Sequence, residues 1–145
     1  LTALTLSLAD RIADATLEAG RKRNASPLTV AVLDAGGHVV VMKRADNSGI
    51  LRCEIAHGKA WGALGMGLPT RTLSERAKNA PAFFAAIAAA SEGRLIPVPG
   101  GILLRNDSGG IIGAVGVSGD TSDMDEDCAM EAIAACGCIG DNGLS

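Results

Sequence analysis

Apolar residues recur along this chain in two rhythms, one helical and one strand-like, and the switches between them predict its elements. From Leu4, the positions Leu8, Ile12, Ala15 and Ala19 fall three and four apart and stripe one side of a helix, with Asp10, Arg11, Asp14 and Glu18 largely off the stripe. Gly20 is placed to end it. Leu28 to Leu33 is rich in strand formers, Asp34-Ala35-Gly36-Gly37 is a turn, and His38 to Met42 returns, which predicts a hairpin. After the polar loop Arg44 to Gly49, helical spacing resumes from Ile50 to Met66 through Leu51, Ile55, Ala56, Ala60, Ala63 and Leu64. Gly67-Leu68-Pro69-Thr70 breaks that helix, and Thr70 or Ser74 is placed to cap short turns that run through Lys78.

Pro81 suits a first helical position, and Phe83 to Ala90 is then a nearly all-apolar helix ended by Ser91-Glu92-Gly93. Such a helix belongs in the core or in an interface. The stretch Leu95 to Gly119 contains two apolar runs, Ile102 to Leu104 and Ile111 to Val117, joined by Arg105 to Gly110, and predicts a second hairpin. The second run is apolar on both parities, as expected of a strand covered on both faces. Gly113, Gly116 and Gly119 recur every third residue through it and just beyond. Glycine weakens a strand unless another backbone or a ligand approaches closely, so this hairpin is either tightly covered by helices or lines a pocket. Finally, Ser122-Asp123-Met124-Asp125 resembles a capping box that opens a helix through Cys138, with Cys128, Ala132 and Cys136 on one face.

Composition narrows the function classes. The 145 residues are read as one domain spanning 1–145, large enough to bury a core without disulfides or metal. A net charge of −3 and only three aromatics, Trp61, Phe83 and Phe84, provide neither the basic footprint nor the stacking platforms of a nucleic-acid binder. No apolar window approaches the roughly 20 residues of a membrane span. Cys53, Cys128, Cys136 and Cys138 lack the spacing of a zinc site and are read as reduced packing thiols. Hydrophobic residues at 48% with so few aromatics imply apolar surface buried between subunits, hence a homo-oligomer. A cytoplasmic location is expected; because the first residue is Leu1 rather than Met, a removed signal peptide stays open beside it.

Candidate chemistry concentrates on the second helix. Cys53, His57 and Trp61 are four apart and share one face. His57 is either a satisfied core or interface histidine, the commoner case, or a ligand or acid–base group, since imidazole titrates near neutrality and is a frequent axial ligand of haem iron. Glu-x-x-His occurs once, which argues against a carboxylate-bridged di-metal bundle. Lys59 points away from His57 and is a surface cation or a cation for a carboxylate. Asp34 fixes its turn or moves a proton. Arg44 and Arg105 are further carboxylate holders. The acids Asp123, Asp125, Glu126 and Asp127 lack EF-hand spacing and suit a helix first turn rather than a metal.

Several pieces occur in a fixed order: Asp34-Ala35-Gly36-Gly37-His38, Lys59-Ala60, Leu68-Pro69-Thr70-Arg71, Pro99-Gly100-Gly101, Gly113 to Gly119, and Asp125-Glu126-Asp127. Together they resemble the GlcG-like family, which includes the haem-binding HbpS type and the C-terminal domain of PduO-type proteins. The family pattern often reads Gln-Asp where this chain has Met124-Asp125. The resemblance covers nearly the whole chain and implies an α+β, profilin-like fold: three layers, α/β/α, around a central antiparallel sheet of about five strands. It also implies dimers or larger oligomers and a bound small molecule or tetrapyrrole, with haem the leading cofactor. The expected site lies between the glycine strands and the helix of His57 and Lys59, with Arg44, Gly100, Gly101, Arg105 and Gly116 as further ligand-binding candidates. The competing expectation is a small-molecule enzyme, an isomerase, hydratase or lyase acting on a carboxylated metabolite, in which His57, Lys59 or Asp34 does the chemistry.

Overall fold

The computed structural model describes residues 3–144. Its elements are α1 (Leu6–Lys22), β1 (Thr29–Asp34), β2 (Val39–Arg44), α2 (Arg52–Met66), α3 (Thr70–Asn79), α4 (Pro81–Ala90), β3 (Gly101–Arg105), β4 (Ile111–Ser118), α5 (Ser122–Ala135) and β5 (Ile139–Asp141). The strands form one antiparallel sheet in the order β2-β1-β4-β3-β5.

Alternate residues of the central strands feed two cores. Val30 and Val32 of β1, Ile102 and Leu104 of β3, and Val115 and Val117 of β4 pack against Leu8, Ile12 and Ala13 of α1 and Cys128, Ala129 and Ile133 of α5. The opposite parity, Leu33, Leu103 and Ala114, packs against Ala60 and Ala63 of α2. The fold is therefore the expected α/β/α arrangement, and β4 is apolar on both parities because helices cover both its faces.

The glycines of the sheet resolve the fork left by the sequence. A Cβ on Gly116 would lie 1.9 Å from the carbonyl oxygen of Ala56, and one on Gly101 would lie 2.4 Å from that of Lys59. The missing side chains are filled by the backbone of α2, which rests directly on β3 and β4. Gly101 and Gly116 thus leave no room for a guest, contrary to their expected role in a ligand pocket. Gly100 is likewise closed, with Lys59 Nζ 2.9 Å from where its Cβ would stand.

Local readings shift at several ends. Gly20 does not stop α1, which runs on to Lys22; its missing side chain instead admits Leu28, whose Cδ1 sits 2.7 Å from the position of a Cβ. The segment through Lys78 is a ten-residue helix, α3, rather than short turns, and Thr70 lies inside it as a clasp on β3, accepting the amide of Gly101 at 2.8 Å. The N-cap of α5 is Thr121, whose hydroxyl accepts the Met124 amide, so the capping box expected at Ser122 is one residue out of register. The same helix ends at Ala135 and not at Cys138, because the chain turns at Gly137 to add β5 beside β3.

The apolar α4 is not in the core. None of its ten residues is buried, and Phe83 is 54% exposed.

Candidate functional site

α2 positions two different sets of side chains because successive residues turn by about 100° around a helix. One face looks into an open groove of about 540 Å³ between α2, β2 and the segment after α4. Its apolar walls come from Met42, Leu51, Ile55 and Ile96; its polar lining is His57, Arg94, the Cys53 thiol and the carboxylates of Glu54 and Glu92. The segment Arg94–Ile96 is held on α2 by close contact. The Ile96 amide donates to the Gly58 carbonyl at 3.2 Å, and a Cβ on Gly58 would strike the Arg94 carbonyl at 2.3 Å. Arg94 lies over Trp61, its guanidinium carbon 4.2 Å from the ring centroid.

His57 is half-buried in this groove. Burial and, secondarily, the charge of Arg94 hold its pKa below the ordinary 6.5. The imidazole is therefore neutral at physiological pH, the form that ligates a metal. The four-residue spacing of Cys53, His57 and Trp61 does place them along one side of α2, with Cys53 and His57 both lining the groove.

Lys59 points elsewhere, as the helical spacing requires. Its side chain is 3% exposed; Nζ donates to the Val117 carbonyl at 2.8 Å and to Asp125 Oδ2 at 3.1 Å. It is not a surface cation, and it does not reach the His57 groove. Burial dominates this pair, lowering the Lys59 pKa and raising that of Asp125, with their mutual attraction opposing both shifts. Asp125, read from the sequence as a first-turn helix acid, is in fact 1% exposed, and its Oδ1 accepts the Asp120 amide.

The remaining candidates are dispersed. Arg44 donates to the Ser48 carbonyl at 2.7 Å, near the end of β4 where Thr29 pairs with Ser118. Arg105 pairs with Asp141 at 2.9 Å and with the Gly109 carbonyl, at the other end of the same strand beside Ile111. These two arginines do not converge on His57 or Lys59, so the carboxylate clamp expected of them is not assembled. Asp34 accepts the amides of Gly36 and His38 and the His38 ring, all from within its own turn. Those hydrogen bonds, led by the His38 amide, hold its pKa below 3.8 and leave it a weak base. Among the acids after Thr121, Glu126 and Asp123 pair with Arg71. No cluster of three or more metal-binding side chains occurs among the described residues.

Arg94, Ile96 and Met42 were not singled out in the sequence. Met42 lies on β2, and Arg94 and Ile96 on the irregular segment after α4, with no spacing that links them; the one cue was Gly58, a glycine inside a helix that marks a close neighbour.

A three-layer α+β protein with a groove along its second helix, walled by aliphatic side chains and carrying one neutral imidazole, belongs to the class of small-ligand-binding modules. The family follows from sequence: the model described as "Haem degrading protein HbpS-like" matches residues 4–134, and the chain belongs to that family. It is similar to the corrinoid adenosyltransferase PduO of Salmonella typhimurium, with 33% identity over 109 residues, 75% of this chain. The chain spans about a third of that relative, 32% of its length. Among solved structures it is similar to the PduOC:heme complex (TM-score 0.86, 29% identity, 96% of this chain and 99% of that one). It is also similar to HbpS (TM-score 0.79, 29% identity, 93% and 91%).

Proposed function

We propose that this protein binds haem or a related tetrapyrrole in the groove along α2, with His57 as the axial ligand. The observation that carries this reading is the half-buried, neutral imidazole set among Met42, Leu51, Ile55 and Ile96 in a groove of about 540 Å³. A porphyrin is a flat apolar body with two carboxylates at one edge. The aliphatic walls suit its faces, and Arg94, kept in place by Trp61, suits an edge carboxylate. Membership of a haem-degrading family and likeness to a protein crystallised with haem support the same assignment. The iron supplies the redox and ligand chemistry when bound; the chain supplies the ligand nitrogen, the apolar enclosure and the counter-charge.

Spectral titration tests the reading. Micromolar haem should give a saturable Soret shift with one site per chain, and His57→Ala should abolish or move that band. A parent spectrum without saturation, or a His57→Ala spectrum identical to it, would remove the assignment.

The protein acts as a homo-oligomer in this reading. α4 carries no charged or polar side chain and buries none of its residues, so only an uncharged surface can cover it without desolvating a charge. Its own counterpart on a second copy is such a surface, as in an isologous contact. Light scattering should show more than one chain per particle, and Phe83→Asp should reduce the mass; a parent protein that is monomeric at tens of micromolar would exclude this. Among the described residues no helix is long and apolar enough to cross a membrane. The four cysteines are unpaired, which supports a cytoplasmic, reducing location.

A further inference from the structure

A second pocket, of about 340 Å³, lies on the other side of Ile55 and Ile96 from the His57 groove. Its polar lining is Arg52, Lys59, Ser118, Asp120, Ser122 and Asp125, and its apolar wall is Ile55, Ile96 and Val98. The charges here are not equally committed. Asp125 has both oxygens covered, by Lys59 and the Asp120 amide. Asp120 is turned to the backbone, accepting the amides of Ser26 and Thr121 at 2.7 Å each. Lys59 uses two of its three N–H donors. Arg52, the first residue of α2, uses one of five: Nη1 donates to Ser118 Oγ at 3.0 Å, and no carboxylate lies within ion-pair distance of it among the described residues.

We propose that this pocket binds the carboxylate of a compact, mostly apolar organic acid, with Arg52 as the counter-cation. The guanidinium matches a carboxylate in two parallel hydrogen bonds. Arg52 and Ser122, both partly exposed, present donors to the anion, and the buried Ser118 and Lys59 lie beneath them. The acid's carbon skeleton lies on Ile55, Ile96 and Val98. Lys59 and Asp125 hold each other as a closed pair and the Asp120 carboxylate is bonded to backbone amides, which leaves Arg52 as the cation with free donors. Two sources have this chemistry: a free small acid, or the alkyl carboxylate arm of a tetrapyrrole in the neighbouring groove, the latter resting on the haem reading above.

Calorimetric or NMR titration with benzoate and propionate, and with benzamide as the uncharged control, tests the site. Saturable binding of the two acids but not of benzamide is expected, weakened about 10-fold or more in Arg52→Gln, since hydrogen bonds to charged groups are the strong ones. That variant loses only the bond to the Ser118 hydroxyl and should keep the parent circular dichroism spectrum. Absence of saturable acid binding, or equal binding by Arg52→Gln, would overturn the proposal. Repeating the titration with haem and with haem dimethyl ester identifies the source. Unchanged benzoate affinity beside haem indicates a free acid; competition by haem but not by its diester indicates the propionate arm. Failure of the haem reading appears separately, in the Soret band, and leaves the benzoate titration interpretable.

Discussion

The contact between α2 and the sheet should fail if one methyl group is added at Gly116. Its Cβ would stand 1.9 Å from the carbonyl oxygen of Ala56 and 2.9 Å from the amide nitrogen of Ala60. Both are main-chain atoms of α2, so no rotamer change can relieve the clash; the helix itself must lift. Adding a methyl to a packed core costs about 1–3 kcal/mol when side chains can adjust, and here the loss should reach about 3 kcal/mol or more. With a urea slope of about 2 kcal/mol/M, the unfolding midpoint of Gly116→Ala should fall by roughly 1.5 M. Gly65→Ala is the matched contrast on the same helix. Gly65 is exposed, and the nearest atom to its added Cβ is a Trp61 ring carbon at 3.9 Å. Gly65 lies in the last turn of α2, where replacing glycine by alanine should raise stability by up to roughly 0.5 kcal/mol. Both variants need measurement at one protomer concentration, because association shifts apparent stability. Since α2 carries His57, Gly116→Ala should also weaken haem binding. A Gly116→Ala midpoint equal to that of the parent would refute the claim that the glycine strand exists to seat the helix backbone.

Three further outcomes follow from particular side chains. His57 has a folded pKa below 6.5, so as pH falls below that value the unfolded chain takes up this proton first. The His57 contribution to stability should be level above 6.5 and decline beneath it, while haem affinity should hold to a lower pH and fall only as the folded imidazole itself takes up a proton; Soret titrations across pH 5 to 8 that show a decline on the alkaline side instead would contradict the buried, neutral ligand. Arg71→Ala should destabilise the fold by about 1–3 kcal/mol, because the Glu126 carboxylate, 3% exposed, loses both bonds from the guanidinium. In denaturant melts Glu126→Gln should cost less than Arg71→Ala, as it leaves no buried charge unpaired. Thr121→Ala removes the acceptor for the Met124 amide and should cost about 1 kcal/mol; an equal loss from Ser122→Ala would return the cap to the register read from the sequence.

Residue order by itself determined the apolar stripes and the turn chemistry. The stripe from Leu8 to Ala19, the Asp34-Ala35-Gly36-Gly37 turn and the doubly apolar run from Ile111 to Val117 led to α1, the first hairpin and a strand covered on both faces, because periodicity is a local property of the chain. The placement of His57 and Lys59 on different sides of α2 was legible for the same reason. Tertiary structure decided what no spacing encodes. Gly116 of β4 and Gly101 of β3 are filled by main chain from α2, the Lys59 amine closes on Asp125 sixty-six residues later, and Arg94 arrives over Trp61 from a segment without regular structure. Arg44 and Arg105, chosen from the sequence for their charge, sit at opposite ends of the sheet, while Arg52, overlooked at a helix start, faces the pocket. A cavity is a relation among surfaces that are distant in sequence, so its lining becomes visible only once the sheet order and the helix-to-sheet distance are set.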